Sequence, residues 1–312
     1  MSKLINKNSN RLGSIVSFIG FFFAVYATAQ PAGSDIWLAK LPANTTSKNI
    51  TKRSLQWKQV TNSPSYHNQP YFDLSNNRLL FSAMKNGQQT DIFEASLETL
   101  RIKNLTQSPQ SEYSPTVLPD RSGLSGIKVD DQGKQWLWSW SREGVSRGKL
   151  LTAEPIGYHV WLNQTDVLVF VLQDEKQTGH TLERHSLNAS NTDVFIIDQN
   201  IGASLWAIPQ SQKFSYSRMR KGKHQLMSYS PSDGKVELLT DLPVTSAYYA
   251  WAPDGVAVTV SGESGNTNRL IAWDPKYTAW QPYLDMSERC HAGISRIAIS
   301  HDYEYLAVVC NR

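Results

Sequence analysis

The 312-residue chain is 19% charged and 11% aromatic, with its ten tryptophans spread along its length. That much apolar bulk excludes a disordered protein. The formal charge of +4 falls to +1 without residues 1–29, which hold Lys3, Lys7, Arg11 and no acid, so net charge makes no case for a nucleic-acid partner.

Residues 1–29 read as an export signal. The basic head precedes an apolar stretch, Leu12–Tyr26, and Ala27-Thr28-Ala29 supplies the small-x-small pattern for cleavage before Gln30. The stretch is too short and interrupted for a comfortable membrane span. The expectation is a mature chain of residues 30–312, periplasmic, with no stable membrane insertion once the signal is removed.

From Asp35 onward a repeat dominates. A ten-residue frame opens on a bulky or apolar residue, passes a small or polar turn and ends in a β-rich run. Its six copies open at Phe72, Val117, Trp161, Ala207, Trp251 and Ile299, at intervals of 45, 44, 46, 44 and 48 residues. That spacing, without helical periodicity, is the range of four-stranded propeller blades. About 20 residues into each copy comes a third strand: Asp91-Ile92-Phe93, Gln135-Trp136-Leu137, Thr181-Leu182, Gln225-Leu226 and Arg269-Leu270. Asn86-Gly87, Gly179, Lys221-Gly222 and Gly265-Asn266 supply the reversal before it. Fourth strands end at Leu105-Thr106, Leu151-Thr152 and Leu239-Thr240.

The last copy has only 13 residues after Ile299, enough for one hairpin. Its missing half lies at the other end, where Asp35–Leu38 matches a third strand and Trp57–Thr61 a fourth. Pairing the two leaves no free sheet edge at the seam. The fold expected is therefore all-β: a six-bladed β-propeller of four-stranded blades in one domain, 30–312, with residues 42–54 as a polar loop inside the split blade.

Trp161 and Trp251, at frame openings, are expected to pack between blades. Trp136, Trp138 and Trp140 alternate and so share one face, which fits an inter-blade stripe better than a carbohydrate platform. Lys213, Arg218, Arg220, Lys221 and Lys223 read as a solvated hairpin. Cys290 and Cys310 flank the last two strands; a disulfide and two free thiols both remain open. Isolated cysteines on strands argue against a catalytic thiol or a zinc site.

The frame resembles the W-S-P-D-G-x-x-I-A-F signature of the TolB-like propellers. Trp251-Ala252-Pro253-Asp254-Gly255 and Ile299–Val308 carry the resemblance, with Asp35-Ile36-Trp37, Asp91-Ile92-Phe93 and Leu105-Thr106 matching later strands. It implies a propeller fold and a periplasmic location. Only one copy keeps Pro-Asp-Gly intact, and the Val117 copy replaces its apolar run with Gly123, Ser125 and Gly126. TolB also carries an α/β domain before its propeller, for which the stretch from Gln30 to Asp35 leaves no room, so a Tol–Pal role does not follow.

No G-x-S-x-G elbow, phosphate loop, dinucleotide fingerprint, H-E-x-x-H or EF-hand loop occurs. Residues just before each frame enter the innermost strands and should lie near a channel mouth: Tyr66, His67, Asn68, Glu112, Tyr113, Tyr158, His159, Tyr248 and His291, with Ser246 and Ser295. His67, His159 and His291 could hold a metal or act as acid and base. Their offsets of 5, 2 and 8 residues from the frames put them at different heights, which favours ordinary polar residues. Glu112 stands nearly alone, without the partner of a glycosidase pair. No cofactor or metal is expected. The expected function is binding of an envelope protein or peptide by a monomer, without catalysis. The alternative is a lyase or hydrolase acting on a polysaccharide or small ligand at the mouth.

Overall fold

The apolar run after each frame turn forms the second strand of a blade, and both of its faces are covered. Ala257–Val260 is buried throughout, and Asp166–Val171 is buried after its first residue, as an uninterrupted apolar run requires. The computed structural model describes residues 33–85, 87, 89–173, 179–188, 194–243, 248–261 and 267–312. The export signal expected at 1–29, the turn residues Asn86, Gly265 and Asn266, and Ser246 lie outside the described residues.

The chain begins with β1 (Ser34–Lys40) and β2 (Gln56–Gln59). Blade I is β3 (His67–Asp73), β4 (Arg78–Lys85), β5 (Gln89–Ser96) and β6 (Ile102–Asn104). Blade II is β7 (Glu112–Val117), β8 (Gly123–Val129), β9 (Gln135–Ser141) and β10 (Ser146–Lys149). Blade III is β11 (Ile156–Trp161), β12 (Asp166–Val171), β13 (Thr181–Ser186) and β14 (Phe195–Gln199). Blade IV is β15 (Ile201–Ala207), β16 (Phe214–Arg220), β17 (Lys223–Tyr229) and β18 (Val236–Asp241). Blade V is β19 (Tyr249–Trp251), β20 (Ala257–Val260), β21 (Arg269–Trp273) and β22 (Gln281–Asp285). The chain ends with β23 (Ile294–Ile299) and β24 (Tyr305–Asn311).

Each blade is an antiparallel meander, and blade VI has the order β2-β1-β24-β23. There β1 pairs with β24 from Ser34↔Asn311 to Lys40↔Tyr305. Successive blades touch in chain order and blade VI touches blade I, so the protein is a closed six-bladed β-propeller. Cys290 and Cys310 form a disulfide across the start of the last hairpin, with Cα atoms 4.7 Å apart. No described helix is long and apolar enough to cross a membrane.

Frame-opening tryptophans join neighbouring blades. Trp161 Nε1 donates to Ser125 Oγ of blade II at 2.9 Å, and Trp251 Nε1 to Ser215 Oγ of blade IV at 2.8 Å. Two residues before each tryptophan, His159 Nε2 and Tyr249 OH bond the same serines at 2.8 and 2.9 Å. The small residues of blade II belong to the same arrangement. Ser125 is this shared partner, and a Cβ on Gly126 would lie 2.8 Å from the Tyr113 carbonyl oxygen. Trp140 is buried against Leu80, Ile92 and Leu105 of blade I, with Trp138 beside it, so these two pack between blades, whereas Trp136 bonds Asp130 and lies under Lys149 of its own blade. The loop at 42–54 is tied to blade V, where Asp254 accepts from Ser47 N and Oγ, each at 2.8 Å.

Candidate ligand-binding site in the central channel

The innermost strand is the free edge of each blade and faces the axis. Pro70 and Pro115 fit there because that edge needs no ladder partner. Most of these strands are bulged. Register shifts fall between Asn68 and Tyr71, Tyr113 and Thr116, Ile156 and Tyr158, Ile201 and Leu205, and Ile294 and Arg296. Gln69 and Ser114, within two of these bulges, have φ of 57° and 53°. A bulge re-aims the side chain it carries.

The outcome is a layer of one residue per blade. Three positions before the six frame openings stand Gln69, Ser114, Tyr158, Ser204, Tyr248 and Arg296, and all six line an axial cavity of about 410 Å³. The lining extends along the innermost strands from this level to Pro119, Leu162, Asn163 and Ala207 in or beside the loops that follow them. The layer is therefore the floor, and those loops form the rim. Between them the wall is largely apolar, with Tyr71, Val160, Trp161, Leu205, Trp206 and Ile297.

Arg296 dominates the floor. It leaves blade VI, and its Nη2 donates to the Tyr158 hydroxyl of blade III, the opposite blade, at 2.7 Å. Its guanidinium lies 3.3 Å from the centroid of the Tyr248 ring and 5.3 Å from that of Tyr158. Close stacking of this kind favours a desolvated cation. Burial alone would raise the Tyr158 phenol, but Arg296 and donors from Tyr248 and Gln69 hold it below its ordinary value. Burial pushes Tyr248 up to about 12 against the pull of Arg296, and burial likewise raises Tyr66. Gln69 is fixed by Ser82 Oγ and Ser114 N, each donating to its Oε1 at 2.8 Å. Among the described residues no carboxylate pairs with Arg296, and no Asp or Glu lines the cavity.

Of the candidates read from the sequence, Tyr158, His159 and Tyr248 line the cavity. Tyr66 and Tyr113 lie near the Arg296 cluster without lining it. Asn68 Nδ2 donates to Ser295 Oγ at 3.4 Å, linking blades I and VI. His67 is buried at the same seam, with Nδ1 2.7 Å from the Ser34 carbonyl oxygen. Glu112 is buried 3.6 Å from Lys128 Nζ, and burial raises its carboxyl above the usual range. His291 is exposed in the turn after Cys290. The three histidines are thus dispersed, and among the described residues no group of three or more His, Cys, Asp or Glu could hold a metal ion.

His159 is buried with Nε2 between Thr116 Oγ1 at 2.9 Å and Ser125 Oγ at 2.8 Å. Desolvation lowers its pKa to about 3, so it is neutral at physiological pH. A base so weak, with one nitrogen already engaged, is poorly matched to proton transfer near pH 7. Sequence reasoning missed Gln69, Ser114, Ser204 and Arg296. The signal was present: counting back three places from every frame opening finds each of them.

A six-bladed propeller with a cationic floor and apolar walls on its axis is the class that fold and site define. No protein-family model matches the chain, and no curated protein does. Solved structures match at the level of fold. A putative TolB from Agrobacterium tumefaciens superposes with a TM-score of 0.63 at 13% identity, over 90% of this chain and 99% of that one. XC5397 from Xanthomonas campestris, described as a gluconolactonase, gives 0.62 at 10% identity, over 91% and 99%. An oligogalacturonate lyase in complex with manganese gives 0.57 at 12% identity, over 82% and 80%. The chain is thus TolB-like in fold, and the same fold carries enzymes.

Proposed function

We propose that this protein is a non-catalytic periplasmic binding module, a monomer that takes a segment of an envelope protein or peptide into its axial cavity. The observation that carries the reading is the lining: apolar walls over one arginine, with no lining carboxylate among the described residues. Apolar walls with a few placed polar groups suit a buried side chain and its backbone. The wall aromatics supply rigid contact area, while His159 is bound into the inter-blade network. The export signal expected at 1–29 and the TolB-like fold support the compartment.

The test is an affinity capture from detergent-solubilised envelope with the tagged protein, read by mass spectrometry. Ala207 is exposed at the rim, so Ala207→Trp adds bulk where the lining meets the entrance. One envelope protein captured by the wild type and lost with Ala207→Trp is the expected result. Equal capture by both would place binding elsewhere and overturn the reading.

A catalytic reading has one observation in its favour. Tyr158, held below its ordinary pKa beside Arg296, has the character of a base next to an anion-binding group. Turnover of an acidic oligosaccharide that is lost in Tyr158→Phe would establish it and displace the binding reading.

A further inference from the structure

We infer that the cavity recognises the free C-terminal carboxylate of a peptide whose last side chain is apolar, with Arg296 as the carboxylate-binding group. The inference rests on the peptide-binding reading above and specifies which part of the peptide enters.

Charge comes first. Arg296 is partly buried, its guanidinium stacks on Tyr248, and among the described residues no acid neutralises it. Tyr158 takes one of its N–H groups and the Tyr248 hydroxyl lies within reach of the same guanidinium, which leaves the remaining donors of the planar fork for a ligand. A carboxylate matches that fork in shape and charge.

Geometry comes second. Arg296 and Tyr158 reach each other from opposite blades, so this pair lies across the channel at the level where the lining begins. A segment entering from the rim meets a barred floor and must present an end rather than thread through. An amino terminus would bring a positive charge to a positive floor. A carboxyl terminus brings the complementary one.

The walls decide the rest. Behind the carboxylate stand Trp206, Leu205, Val160 and Ile297, which offer an apolar side chain its contacts and leave a sugar's hydroxyls few partners. A cavity of about 410 Å³ is of the size that houses a small ligand and accommodates a chain end, not a folded loop.

The test uses the full chain immobilised and two pools of N-acetylated random hexapeptides, one ending in the free carboxylate and the other in carboxamide. Retained peptides are identified by mass spectrometry. The wild type should retain the acid pool about tenfold to a hundredfold over the amide pool, the range of a charge-assisted hydrogen-bond pair, and enrich apolar last residues. Arg296→Gln should lose that preference, and Arg296→Lys should keep part of it. Because the wild-type comparison needs no variant, a folding defect in either substitution leaves the test intact. Equal retention of both pools, lost with Ala207→Trp, would overturn the carboxylate inference and leave peptide binding standing. Enrichment of internal Asp or Glu in the amide pool would overturn it in favour of an acidic side chain. Retention of neither pool would overturn peptide binding itself, and selective retention of a uronate oligosaccharide in a parallel arm would do the same in favour of an acidic sugar.

Discussion

His159 gives the fold a calculable sensitivity to acid. Its ring is buried between Thr116 and Ser125, and desolvation takes its pKa from 6.5 to about 3. The unfolded chain takes up a proton on this group below pH 6.5, whereas the folded chain does so only near pH 3. Stability contributed here is fully present above pH 6.5 and is lost as pH falls through that window. Between pH 7 and pH 5 the loss is about 2 kcal/mol, from 1.5 units of pH below the unfolded value at about 1.36 kcal/mol each. The perturbation is His159→Asn, which cannot titrate. Urea unfolding of wild type and variant at pH 7 and pH 5 isolates the effect, because all other groups cancel in the difference between the two pH-induced changes. The wild type should lose about 2 kcal/mol more than the variant over that range. Equal losses would refute the assignment of a buried neutral imidazole, as would a ring proton of His159 that titrates near pH 6 by NMR.

Ser125→Ala should destabilise by about 1–3 kcal/mol in denaturant melts, because it strips partners from the Trp161 indole and the His159 ring; Ser215→Ala should do likewise through Trp251 and Tyr249. Reducing the disulfide, or changing both cysteines to serine, should cost about 3 kcal/mol by releasing a loop of 20 residues in sequence separation, read as a lower denaturation midpoint. Asp254→Asn should weaken the clamp on Ser47 and speed amide exchange across residues 44–51, with blade V exchange unchanged. Gly126→Val should fail to accumulate as a folded protein, because even a Cβ there meets the Tyr113 carbonyl oxygen and the Trp140 ring.

The blades were legible because a repeat states the same physical requirement six times. Every frame must end an edge strand, turn, and enter a strand covered on both faces, so Phe72, Val117, Trp161, Ala207, Trp251 and Ile299 could be aligned without a structure. The closing pair was legible for a related reason: Asp35–Leu38 reads as a third strand with no first or second before it, and β1 indeed pairs with β24. Blade II was harder. Gly123, Ser125 and Gly126 break the apolar run, and the reason lies outside the strand, in the neighbouring Trp140 and in the Trp161 indole and His159 ring of the next blade, which both bond Ser125.

The site is less legible than the blades because proximity to a frame does not fix which side chain faces the axis. Position just before a frame selects histidines, tyrosines and a glutamate at several different offsets, from two residues to eight, and so mixes residues of unlike height. Bulges in the innermost strands made alternation an unreliable guide to which side chain turned inward. Phase is the better coordinate. At the frame-opening positions the repeat keeps bulky or apolar residues, because blades must pack there whatever the protein does. Three places earlier packing makes no such demand, and the same phase holds Gln69, Ser114, Tyr158, Ser204, Tyr248 and Arg296. Symmetry of fold with asymmetry of chemistry at one level is what a ring needs in order to recognise a ligand that has no sixfold symmetry. The departures from small polar residues, Tyr158, Tyr248 and Arg296, are the ones that cluster: Arg296 stacks on Tyr248 of the adjacent blade and meets Tyr158 across the channel.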